Sequence, residues 1–144
     1  MKRQLVRAMA FFLVYLFLFA LMGCDSYKQR SYYADSSNYI SATGTVSHIA
    51  YSKDGKSLYI GFSDLSYKFS DTCFKLVGDN LIIARENGID EKLKIGSEVS
   101  FISAPRYFGD GYVMPIVAIV VQGETLLDFT QGHPNLLKWL EQDK

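Results

Sequence analysis

The chain is poor in the residues that build specialised scaffolds. It has two cysteines, three prolines, two histidines and one tryptophan in 144 residues. Two cysteines, at positions 24 and 73, cannot make a disulfide framework. So little proline excludes a collagen-like or proline-rich disordered chain. His48 and His133 lie 85 positions apart, and no Cys-x-x-Cys, His-x-x-x-His or Asp-x-Asp run accompanies them. Zinc and EF-hand calcium spacings are therefore absent, and no metal or other cofactor is expected. Net charge is lacking too: 15 basic residues balance 15 acidic ones, which argues against a nucleic-acid binder. There is no Gly-x-Ser-x-Gly elbow and no glycine-rich phosphate loop, since the glycines stand singly at turns. Internal repeats and low-complexity tracts are also missing.

What is present is unevenly distributed. Lys2, Arg3 and Arg7 precede any acid, and Ala8 to Met22 form 15 uncharged residues rich in Phe, Leu and Val. A charged start before a short apolar core is the secretory signal pattern. The run is short for a membrane span, which needs roughly 20 apolar residues. It ends in Leu21-Met22-Gly23-Cys24, followed by Asp25. This ending resembles the lipobox of bacterial lipoproteins, although Met22 stands where Ala or Ser is more usual. The resemblance implies cleavage between Gly23 and Cys24 and a diacylglyceryl group on the Cys24 thiol. Two acyl chains hold a protein to a membrane stably where one does not. The expected location is the extracytoplasmic face of the cell membrane. In a Gram-negative envelope, Asp25 would resemble an inner-membrane retention signal. Removing residues 1–23 takes three cations and no acid, so the exported part carries a side-chain charge of −3.

Residues 24–39 are small and polar with four tyrosines, and read as a lipidated N-terminus and flexible tether. The tyrosines also admit an interfacial role. From Ile40 onward strand signals dominate. Val46 and Ile49 differ in parity, which predicts a bulge near Ser47-His48. Lys53-Asp54-Gly55-Lys56 predicts a hairpin turn. Leu58, Ile60 and Phe62 share one face, and Leu65, Tyr67 and Phe69 read as a third strand. Residues 81–87 suit a short helix, capped by Asp79 or Asn80 and stopped by Gly88, with Ile89 packing after the stop. Ile95, Val99 and Phe101 predict a fourth strand. Residues 113–121 predict a fifth, buried on both faces and interrupted by Pro115. Pro134 in a first helical turn and Leu136, Leu137 and Leu140 predict a terminal helix.

Five strands with a helix between the third and fourth resemble the OB-fold, a small partly open barrel. Gly96-Ser97-Glu98-Val99, opening the fourth strand, is similar to what such chains carry. The expected fold is therefore mainly β: a five-stranded OB-like barrel over residues 40–122, then a C-terminal extension, 123–144, with a short helix.

The segment Arg106-Tyr107-Phe108-Gly109-Asp110-Gly111-Tyr112 is the most unusual local feature. In OB-folds the connection between the last two strands borders the ligand face. Arg106, Tyr107, Phe108, Asp110 and Tyr112 are thus the candidate binding surface, suited to stacking on a sugar, base or peptide side chain. The plainer reading is a hairpin turn whose aromatics pack on the barrel rim. Tyr51 and Tyr59 are candidates to extend such a face. Cys73, the thiol left after acylation of Cys24, reads as a small buried hydrophobe. The expected role is a non-catalytic, membrane-anchored binding or adaptor module. It would meet the membrane through Cys24 and an envelope protein, peptide or glycan through its surface. The alternatives are an accessory envelope lipoprotein without a small ligand, or a small hydrolase built on a carboxylate pair among Asp64, Asp71, Asp90, Glu91 and Glu98.

Overall fold

The computed structural model describes residues 9, 11–15, 28–109 and 111–142. Gly23, Cys24, Asp25 and Asp110 lie outside the described residues. The chain divides into two compact units, residues 1–32 and 33–144. In the first, Met9 and residues 11–15 are helical and exposed, and residues 28–32 are helical. Among the described residues, no helix is long and apolar enough to cross a membrane.

The second unit is a six-stranded, mainly antiparallel sheet with short helices and a C-terminal helix. β1 spans Ile40–Tyr51, β2 Ser57–Ser63, β3 Cys73–Val77, β4 Glu98–Ser103, β5 Met114–Val121 and β6 Glu124–Leu127. α1 spans Gly78–Glu86, α2 Ile89–Lys92 and α3 Phe129–Gln142. The strand order is β3-β2-β1-β4-β5-β6, and β3 also pairs in parallel with β5, at Phe74–Met114 and Lys75–Pro115. The pairings β1–β2–β3–β5–β4–β1 thus form a closed circuit.

Strand β1 is long enough to serve two neighbours. Its first half pairs with β4 and its second half with β2. The register shifts between Val46 and His48, where the bulge was expected. The shift turns Ile49 inward after Ala42 and Val46 and leaves His48 exposed. Inward residues of β2 and β3 meet at an aromatic centre. Phe62 stacks on Phe101 with ring centroids 4.6 Å apart, and Phe74 lies edge-on to both. Burying each of these rings contributes roughly 1.5–3 kcal/mol.

Several expectations need correcting. Residues 65–69 form no strand, because β2 already has β1 and β3 as its two neighbours and Asp64 breaks the extended path at φ 52°. Phe69 still packs inward, and Leu65 is partly buried against the same core. Ile95 is 69% exposed rather than inward, since β4 starts only at Glu98 after a turn. No side chain caps α1, which starts directly from β3 with Val77 as its N-cap. Gly88 does adopt the left-handed conformation, and Ile89 behind it is fully buried.

The C-terminal residues complete the sheet rather than extending from it. Gln122 and Gly123 both have positive φ, 53° and 77°, as a two-residue hairpin turn requires, and they fold β6 back on β5. α3 starts five residues before Pro134, with the Asp128 carboxylate accepting from the Thr130 amide at 2.8 Å. It lies so close to β5 that a Cβ at Gly132 would fall 1.8 Å from the Val117 carbonyl oxygen. Pro115 sits at the second position of β5, where a missing amide is tolerated.

The expected tether ends early. Tyr33 is fully buried, its hydroxyl donates to the Arg106 carbonyl at 2.7 Å, and its own carbonyl accepts from the Tyr39 hydroxyl at 2.8 Å. His133 Nε2 also meets the Tyr33 carbonyl, at 2.8 Å, while its ring stacks on Phe129. Residues 33–39 therefore belong to the folded unit.

Candidate functional site

Because strand residues alternate faces, the strands that send Phe62, Phe74 and Leu76 inward send Tyr59 and Lys75 outward. Tyr59 and Lys75 lie directly opposite each other across β2 and β3. α1 leaves β3 at Gly78 and flanks this outer face, and Trp139 from α3 covers its far side. Together with the β1–β2 turn they enclose a groove of about 790 Å³, lined by Tyr59, Lys75, Leu81, Arg85, Gly109 and Trp139 among others.

The Lys75 ammonium sits among aromatic rings. It lies 5.3 Å from the centroid of Tyr59 and 5.9 Å from those of Phe108 and Trp139. Aromatic faces attract a cation at this range. Among the described residues, no carboxylate pairs with it. Trp139 reaches this place because residue 78 is glycine. Its φ is +55°, and a Cβ there would come 2.9 Å from the indole Cδ1. Phe108 backs the indole edge-on at 5.5 Å, and Tyr33 in turn meets Phe108 edge-on at 6.3 Å.

The turn at the groove mouth is held locally. Asp54 accepts from the Ser52 hydroxyl at 2.6 Å and from the Lys56 amide at 3.0 Å. The Ser52 hydroxyl, then the Lys56 amide, hold the Asp54 carboxyl below its ordinary value. Arg85 fastens the turn to α1, donating to the Gly55 carbonyl at 3.3 Å while lying over the Tyr51 ring and 3.6 Å from Asp90. Asp90 also accepts from the Tyr51 hydroxyl.

The loop singled out in the sequence divides its residues between roles. Phe108 turns inward, 1% exposed, and backs Trp139, while Gly109 alone of this loop lines the groove. Tyr107 is half-buried against the core and edge-on to Tyr112, which is 76% exposed. Arg106 is exposed, and its backbone holds Tyr33. Arg106, Tyr107 and Tyr112 do not line the groove. The groove's own residues, Lys75, Arg85 and Trp139, were not foreseen as a site; Tyr59 was. Alternation on β2 points to Tyr59, and Lys75 is marked only by standing between the buried Phe74 and Leu76, whereas no local signal places a C-terminal tryptophan beside them.

Cys73 is half-buried on the outward parity of β3, not sealed in the core. Burial, and then the nearby Asp71 charge, push its thiol above the ordinary value. That keeps it protonated and a poor nucleophile. Among the described residues, no cluster of three or more His, Cys, Asp or Glu side chains could hold a metal.

No protein-family model, curated protein or solved structure matches the chain.

Proposed function

We propose that this chain is a lipid-anchored, extracytoplasmic binding module. Its acylated N-terminus at Cys24 holds it to the membrane, and its β domain presents the Lys75 groove to a ligand of the cell envelope. The groove carries the reading: an ammonium among aromatic rings, without a carboxylate partner among the described residues, in an opening of about 790 Å³, the size of a small-molecule site. The closed strand circuit supports an OB-like barrel, whose ligand face is the outer surface of β2 and β3 beside the β1–β2 and β4–β5 connections. The groove occupies that face. The lipobox resemblance at Leu21-Met22-Gly23-Cys24 supports the anchor. Eight residues separate Cys24 from Tyr33, so the anchor keeps the domain close to the membrane surface.

The test is a photo-crosslinking amino acid placed singly at Tyr59 or at exposed Ile95, with the full chain expressed in cells. Crosslinked product is expected at position 59 and little at 95. Equal yields at the two positions would remove the groove from the proposal. Mass spectrometry of the same samples is expected to show a diacylglyceryl group on Cys24, and an unmodified residue there would remove the anchor.

A further inference from the structure

Charge and topology narrow what the groove accepts. We propose that its ligand is a saccharide whose sugar ring carries a carboxylate, with that acid against the Lys75 ammonium and the apolar face of the ring on Trp139 and Tyr59. This rests on the reading of the groove as a binding site.

The charge comes first. Lys75 is a half-buried cation with no carboxylate partner among the described residues, and an anion is what it lacks. Of the three cations lining the groove, Lys75 is the one set among three aromatic rings. The Arg85 guanidinium is already engaged by the Gly55 carbonyl and Asp90. Lys56 stands exposed beside Asp54, whose own negative charge lines the mouth.

The aromatic lining comes second. Tyr59 and Trp139 are each half-buried, so part of each ring faces the opening. The C–H face of a sugar ring is apolar and weakly positive at its hydrogens, which suits the negative face of an aromatic ring.

Topology disfavours an extended peptide. β2 is paired along both edges, and β3 is held by β2 on one side and by β5 at Phe74 and Lys75 on the other. The groove therefore lies on a sheet face with no free ladder edge at Lys75 for strand addition. Its charged lining equally opposes the apolar side of an amphipathic helix. The volume of about 790 Å³ fits one to three rings.

The test uses the chain's only tryptophan, Trp139, as the reporter. Full-length protein in detergent micelles is titrated with digalacturonic acid, with its uncharged counterpart galactobiose, with uridine monophosphate and with an acidic tetrapeptide. Tryptophan fluorescence is expected to change saturably with digalacturonic acid, at least tenfold more tightly than with galactobiose. Lys75→Gln is expected to weaken the acidic sugar at least tenfold and to leave galactobiose unchanged. Lys75→Arg keeps the charge and is expected to retain part of the affinity, which separates loss of charge from misfolding. Equal affinity for the acidic and neutral sugars would overturn the carboxylate. Tighter binding of the nucleotide or the peptide would overturn the saccharide. No response to any probe would overturn the inference too, while a crosslink at position 59 in cells would still uphold the groove as a binding site.

Discussion

The two faces of β2 and β3 are built from alternate residues of the same twelve positions and serve opposite ends. Leu58, Ile60 and Phe62 with Phe74 and Leu76 are sealed within the core. Between them, Tyr59 and Lys75 stand half-buried in a groove, the ammonium facing three rings and, among the described residues, paired with no carboxylate. A lysine in such a place does little for folding, since ordering and partly desolvating it costs free energy that cation–π contacts only partly offset. A position that costs stability without adding to the core is where function is to be sought.

Neighbouring residues give the sharpest contrast. Phe74→Ala should cost about 3–5 kcal/mol, because it removes the ring that meets Phe62, Phe69 and Phe101. Chemical denaturation measures it. Lys75→Gln, one residue along, should change stability by no more than about 1 kcal/mol. A cost for Lys75→Gln approaching that of Phe74→Ala would make Lys75 a structural residue and dissolve the contrast.

Gly78→Ala acts on the join between the faces. It places a Cβ in the left-handed region and against the Trp139 indole, and should cost about 1–2 kcal/mol. Tryptophan emission is expected to shift red as the ring is displaced toward solvent. A variant with unchanged emission would show that Gly78 does not set the position of the indole.

Tyr33→Phe comes next. It strips the donor from the Arg106 carbonyl and should cost about 1 kcal/mol, read from thermal unfolding. Because Tyr33 touches Phe108, which backs Trp139, a small change in tryptophan fluorescence should accompany the loss.

The smallest effect is one of pH. The Asp54 carboxyl is held below its ordinary 3.8 in the folded chain, so its contribution is present above that value and lost as pH falls through the lowered one. The Lys56 amide, which donates to Asp54, is expected to lose hydrogen-exchange protection in that acid range before the sheet melts. Retained protection there would show that the turn does not depend on the ionised carboxylate.

The inner face was largely readable from the sequence. Alternation on β2 and the parity switch around Ser47-His48 are period-two signals, and both appear in the structure. The failures have physical causes. Leu65 and Phe69 alternate like a strand because both contact the core from a loop, and burial rather than a ladder sets their pattern. β6 escapes the sequence reading because Gln122-Gly123 marks an end to the barrel as readily as a hairpin turn. The outer face was harder to read. The aromatic loop points to Tyr107 and Tyr112, while the groove takes only Gly109 from it. Its main ring, Trp139, comes from a helix more than sixty residues away from Lys75, and only the tertiary fold brings them together.

The central claim is that the outer face of β2 and β3 binds and the inner face folds. Crosslinking at position 59 in intact cells, with and without Lys75→Gln, tests it most directly, with the melting temperature of each protein measured alongside. The expected result is a crosslinked product that Lys75→Gln largely removes while the melting temperature holds. A product of undiminished yield in the Lys75→Gln chain would contradict the claim.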